Sequence, residues 1–390
     1  MKITHIEAIP MLVELSGDMA APVAIPNAKN LASTVFRGYR ACLVRVHTDE
    51  GLTGTGECMV RFTPEATAAI VRELSEVVKG HDPVHTSVIW ELMFSVMMNR
   101  GHYRGFFIEA LSGIDIALWD LKGKAFGRPV YELLGGPQRE RIWSYASSLR
   151  FRGLEQTVSE AKEFVQDGYD AMKLKIGRGG HRPEVDIELA TAVRDAVGPD
   201  IYLSADANCA FTPAAAAKVG RALQELDYAW FEEPITPDNY DGYRELRQTL
   251  DLPIAGGETE FTSYGFRDVL AKRTLDIVQP NISRAGGFTD CLRTAAFAQA
   301  YHVPYAPHTG STTGVCHVAE VHLSAALPNF LIYEDMQADW SREEHNPLRE
   351  DLLYSGSIVR DGGEVLLPSG PGLGIELNED IVERYRLDRE

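Results

Sequence analysis

From Gly135-Gly136 onward the chain repeats one pattern. A short apolar run rich in β-branched and aromatic residues ends on a polar residue, often an acid, and a longer stretch with helical periodicity follows. The runs are YASSL, AMKLKI, IYLSAD, AWFEEP, PIAGGE, DIVQP, VPYAPH and LIYE, separated by segments such as GLEQTVSEAKEFVQDG and PEVDIELATAVRDAVG. Eight strands with seven helices between them predict an α/β fold of parallel strands and helical crossovers, either a doubly wound sheet or a closed (β/α)8 barrel. An open sheet gathers its chemistry at one switch point, whereas here many strands end on reactive side chains, which favours the barrel.

The flanking segments break this rhythm. Over residues 1–125 a strand pair (Lys2 to Leu15 and Ala41 to His47, with a turn at Asp49-Glu50-Gly51) precedes helical periodicity, as expected of an α+β capping domain. Between those strands the segment from about Gly17 to Arg40 is rich in Gly, Pro, Asn and Ala and too long for a hairpin, so it is a candidate specificity loop. The barrel is assigned to 126–350. The tail, 351–390, contains RDGGEV and PSGPGLGIEL, reads as a hairpin plus loop, and is expected to return to the capping domain.

Composition narrows the function. The 390 residues suffice for a large domain and a smaller one, and no apolar run reaches the roughly 18 residues of a membrane span. The N-terminal MKITHIEAIPMLVEL alternates like a strand rather than a secretion signal, which predicts a cytoplasmic location. Five scattered cysteines without CxxC spacing argue against a disulfide framework or a zinc site. A net charge of −18 without a basic run disfavours nucleic-acid or anionic-membrane partners, so a small anionic substrate must be held by local positive charge.

Asp206, Glu232 and Glu258 close three successive strands at intervals of 26 residues, one carboxylate per strand-plus-helix unit. Singly, each is readily explained as a helix cap or an ion-pair partner. Together they form a hard-oxygen set suited to Mg2+ rather than zinc, with Asn208 and Glu233 as supporting partners that orient the ligands or pair with a lysine. Lys173 and Lys175, two apart on AMKLKI, project to one face while Met172, Leu174 and Ile176 take the other. Asn281 and His308 close the sixth and seventh strands and are expected to be neighbours opposite the lysines. Glu334 and Asp335 close the eighth, where a protonated acid would serve a developing oxyanion and an ionised one would pair with a lysine. Such a site suits removal of the weakly acidic α-proton of a carboxylate substrate, because a divalent ion and an ammonium stabilise the enediolate.

At these residues the chain resembles the enolase superfamily, in its mandelate racemase and muconate lactonising enzyme branch. The resemblance spans nearly the whole chain: SGIDIALWDLKGKAFGRPVYELLGG, then the KLK, DAN, FEEP, GGET, QPN and PH segments, and PGLGIEL near the end. It implies a known superfamily chemistry in which a Lys or His base works with Mg2+. Asp206, Glu232 and Glu258 would be the metal ligands, Lys175 a base with Lys173 as its electrostatic helper, and His308 the opposite acid or base. Many members carry Asp where this chain has Asn281. A neutral amide can accept the imidazole N–H but cannot stabilise an imidazolium, which puts two-base racemisation in doubt. The resemblance favours dehydration of a sugar acid to a 2-keto-3-deoxy product, with a racemase or epimerase of hydroxy or amino acid derivatives, or a sugar-acid lactone cycloisomerase, as alternatives. Arg37, Tyr39, Arg40, Asn208 and Trp340 are candidate substrate contacts, Arg104 is a candidate for a distal carboxylate or a subunit interface, and a homo-oligomer is expected.

Overall fold

The computed structural model describes residues 1–15, 38–150, 152–177, 182–336 and 345–388. It contains a capping domain and a parallel barrel. In the cap, β1 (Ile3–Glu14), β2 (Gly38–Thr48) and β3 (Thr53–Cys58) form an antiparallel sheet in that order, with Ile6 opposite Val46 and Ala8 opposite Val44. One face buries Ile3, Ile6, Val44 and Val46 against helices Pro64–Val78, Thr86–Met98 and Phe106–Phe126. The last of these lies directly on β3 because the strand presents glycines there. A methyl carbon on Gly56 would fall 2.1 Å from the Gly113 carbonyl oxygen, so no side chain fits between strand and helix.

The barrel runs β4 (Arg141–Leu149), β5 (Ala171–Lys175), β6 (Tyr202–Asp206), β7 (Phe231–Glu232), β8 (Ile254–Gly256) and β9 (Ile277–Val278), all parallel neighbours in chain order. The seventh position is not the full strand expected from VPYAPH. Tyr305 alone bridges Val278 on one side and Phe330 on the other. The backbone then leaves the ladder toward His308, and β10 (Tyr333–Met336) closes the ring on β4. Register carries Lys175, Asp206 and Glu232 into one row, Lys175 opposite Asp206 and Asp206 opposite Glu232. Tyr145, Trp230, Ala255 and Ile277 fill the interior as one buried cluster, with Lys173 Nζ over the Tyr145 ring.

The C-terminal segment contacts both parts. Its β11 (Glu364–Leu366) pairs with β4, whereas Leu387 donates its backbone N–H to Pro10 and Arg386 bridges Met11. Cap and barrel are also joined by buried hydrogen bonds. Glu57 accepts from Thr313 and Cys316 at the start of helix Gly314–Ala326, and Asp115 accepts from Thr289 at the start of helix Gly287–Ala300. Acceptors from another domain thus satisfy N–H groups that a helix leaves unpaired at its first turn. Among the described residues no helix is long and apolar enough to cross a membrane.

Candidate active site

The barrel's carboxyl end brings Asp206, Glu232 and Glu258 together, with one oxygen of each within 4.8 Å of the others. Asp206 and Glu232 come from adjacent strands in register. Glu258 comes from the segment beyond β8, where Gly257 takes φ 111° to turn the chain. Asn208, at φ 42°, folds back so that its backbone N–H and amide donate to the two Asp206 oxygens at 2.8 and 3.2 Å. Asn208 therefore orients Asp206. Glu232 accepts from Gln279 at 2.6 Å and Trp230 at 3.1 Å, neither of which stands out in the sequence.

The two lysines divide the labour. Lys173 is fully buried and lies 2.7 Å from Glu232, 2.8 Å from Glu334 and 3.1 Å from the Tyr145 hydroxyl. Burial acts to lower its pKa, but Glu232 and Glu334 outweigh that and hold it well above the ordinary value. It is a fixed ammonium. Lys175, nearer the mouth, is paired with Asp206.

Charge in the acid cluster is unevenly balanced. Burial works against ionisation of Asp206, yet Lys175 and Lys173 keep its pKa low. Glu232 is pushed up to about 7, first by burial and further by Asp206, against the pull of Lys173. The oxygen Oε2 of Glu258 is buried without a hydrogen-bond donor although His308 Nε2 lies 3.1 Å away. Excess negative charge and an unsatisfied inward oxygen, in an all-carboxylate set, fit a hard divalent cation.

On the opposite side Asn281 and His308 are neighbours, but the hydrogen-bond sense reverses the expectation. Asn281 Oδ1 accepts from the Ser283 N–H at 2.9 Å, and its Nδ2 donates to the His308 carbonyl at 2.9 Å. Both contacts fix the amide, so the second Nδ2 hydrogen faces His308 Nδ1 at 3.2 Å. Asn281 donates to the ring rather than accepting from it. Nδ1 is then the lone-pair nitrogen, and the neutral ring carries its proton on Nε2, the nitrogen 3.1 Å from Glu258 Oε2. Burial pushes the imidazole down to about 4, against Glu258 and Glu334.

Glu334 is not the protonated donor considered above. It accepts from Ser147 at 2.8 Å, Thr309 N at 2.6 Å and Gly310 N at 3.3 Å and pairs with Lys173. Burial would raise its pKa, but Lys173 and His308 hold it well below the usual range, so it is an ionised anchor. Asp335 points away, to Arg360 and Tyr169. Glu233 pairs with no lysine in the described contacts. Its carboxyl meets the Cys209 thiol, and burial beside Glu258 and Asp206 drives its pKa well up.

Of the substrate contacts expected from sequence, Arg37 and Trp340 lie outside the described residues. Tyr39 is buried in the core with Ile9, Met11 and Trp119, because β2 turns it inward opposite Val13. Arg40 donates to the Arg61 carbonyl, and Arg104 pairs with Glu260 at 3.0 Å. Sequence reasoning passed over Arg61. It follows β3 in the cap and reaches Ser311 Oγ at 2.8 Å and Glu258 Oε1 at 3.5 Å. No local pattern announces a residue that enters the mouth from another domain.

A buried acid triad at a barrel mouth, with lysines on one side and a histidine on the other, is the arrangement expected of an enolase-type site, and comparison with known proteins places the chain accordingly. Residues 19–135 match the mandelate racemase / muconate lactonizing enzyme N-terminal domain and residues 156–381 the enolase C-terminal domain-like family. The protein belongs to the mandelate racemase/muconate lactonizing enzyme group of the enolase superfamily, whose members include sugar-acid lyases and isomerases. It is 36% identical over 362 residues to the D-galactarolactone cycloisomerase of Agrobacterium fabrum, covering 91% of this chain and 94% of that one. It is 32% identical to the arabinonate dehydratase of Saccharolobus solfataricus, covering 87% and 89% of the two chains. The crystal structure of the 3,6-anhydro-D-galactonate cycloisomerase of Zobellia galactanivorans superposes with a TM-score of 0.86 at 32% identity, covering 100% of both chains.

Proposed function

We propose that the protein catalyses a Mg2+-dependent β-elimination on a sugar-acid carboxylate, begun by Lys175 and yielding a 2-keto-3-deoxy acid, with a sugar-acid lactone as the substrate. Lys175 removes the α-proton. Lys173, held as an ammonium between Glu232 and Glu334, supplies fixed positive charge beside the enediolate and costs no reorganisation as charge develops. Asp206, Glu232 and Glu258 would hold the cation, which neutralises charge on the substrate carboxylate as the proton leaves.

One observation carries the choice of leaving group: Asn281 donates to His308 Nδ1. Protonating that nitrogen would set two N–H donors against each other, so His308 offers an Nε2–H hydrogen bond and not a readily transferred proton. A departing hydroxide needs a full proton, whereas the ring oxygen of a lactone leaves as a carboxylate and does not. The naming of the 36% identical relative as a galactarolactone cycloisomerase agrees with this. Dehydration of a free sugar acid is the second reading, supported by the relatives named as dehydratases.

Proton NMR in D2O with Mg2+, run against aldarolactones and aldonates, tests the reading. Ring opening to a 2-keto-3-deoxy diacid is expected. Deuterium appearing at the α-carbon of both stereoisomers without elimination would replace it with racemisation.

A further inference from the structure

Resting on the β-elimination reading, we propose that Arg61 receives the carboxylate released when the lactone opens, and so selects substrates that carry a second carboxyl group. The cap holds this residue at the mouth on the histidine side. The Met59 N–H donates to the Ser283 carbonyl, and the Arg61 carbonyl accepts from Arg40 Nη1 at 3.2 Å, so the backbone is tied on either side of the turn. The guanidinium meets Ser311 Oγ, three residues beyond His308, and its side chain remains 31% exposed to the mouth.

Its contact with Glu258 is loose. The 3.5 Å separation exceeds the 2.7–2.9 Å of a charge-assisted hydrogen bond, so donors stay available. Arg284, the neighbouring guanidinium, is by contrast committed to Glu109 at 3.0 Å and to the Glu258 carbonyl at 2.9 Å. The histidine side of the mouth therefore has a guanidinium in reach, and its planar fork of N–H donors suits a carboxylate.

The step balances as an isomerisation. Lys175 takes the α-proton, the C–H pair becomes a carbon–carbon double bond, and the adjacent C–O bond of the lactone breaks. Its electron pair leaves on the carboxylate oxygen, which Arg61 pairs. The enol then tautomerises: its β-carbon takes a proton, from the Lys175 ammonium or from water, and its hydroxyl proton is lost to water, which gives the 2-keto product.

The test is calorimetric binding to the Mg2+-loaded Lys175→Ala variant, which cannot turn substrate over, using hexarates and the hexonates of matching configuration. The dicarboxylate should bind about 10- to 100-fold more tightly than its monocarboxylate partner. That preference should vanish when Arg61→Gln is added and return in part with Arg61→Lys. Equal binding of the two ligand classes at the outset, or a preference that survives Arg61→Gln, overturns the proposal. Turnover of the unmodified enzyme is scored separately. A dicarboxylate preference that depends on Arg61, in an enzyme that opens no lactone, leaves Arg61 standing and rejects the reaction instead.

Discussion

The two sides of the barrel mouth are built to different specifications. On the lysine side charged groups are crowded together: Lys173 lies within 2.8 Å of two carboxylates, and Lys175 is paired with a member of the acid triad. On the histidine side the ring is neutral, its tautomer set by an amide. Symmetry of shape between two catalytic faces therefore does not imply symmetry of proton-transfer capacity, which is decided by what touches the far nitrogen of the imidazole.

The largest test of this contrast is Lys175→Ala. Loss of the sole base on the proposed reacting face should slow α-proton exchange about 10^3-fold or more, read as deuterium incorporation. Retained exchange would transfer the base role across the mouth. Lys173→Met comes next. Deleting the ammonium leaves Glu232 and Glu334 buried without their shared partner, which should cost about 3–5 kcal/mol of stability by urea unfolding. A neutral result would mean that Lys173 is not the electrostatic keystone of that side.

Asn281→Asp should narrow the difference between the sides. A carboxylate at Nδ1 favours the imidazolium, so His308 should rise by about 1–2 pKa units from about 4, seen in the 15N shifts of the ring. The sign for stability follows. A histidine depressed in the folded state contributes stability above the unfolded value near 6.5 that is lost as pH falls toward 4. Asn281→Asp should reduce that loss, and an unchanged acid limb would refute the tautomer assignment. The smallest effect is expected for His308→Gln, about tenfold on lactone opening, because only one hydrogen-bond donor is removed. A drop beyond 10^3-fold would show that His308 transfers a proton after all.

Much of this was legible in the chain. The acid triad and the KxK pair could be placed because each strand-plus-helix unit has a nearly constant length, so a residue's position in the sequence fixes its position around the ring. The seventh strand was less legible. VPYAPH has strand composition, but the chain needs only Tyr305 to carry the ladder before turning toward His308. Tyr39 looked polar enough for a substrate contact, yet strand alternation turns it into the core. The direction of the Asn281 amide depends on Ser283 and on a carbonyl 27 residues away, which no motif encodes. Arg61 enters from the cap, 197 residues before its partner Glu258 and 250 before Ser311 in the chain. Contacts of that kind are created by docking and leave no local pattern.

The docking itself constrains how this architecture can be inherited or recombined. Glu57 and Asp115 complete the first turns of two barrel helices, and burial raises each carboxyl to about 7. A barrel grafted onto a foreign cap would lose both acceptors at once, leaving helix ends facing a dry interface with nothing to bind. Chimeras should therefore be viable only where the donor cap supplies an acid at both places, and the pair forms a lock that must be exchanged together.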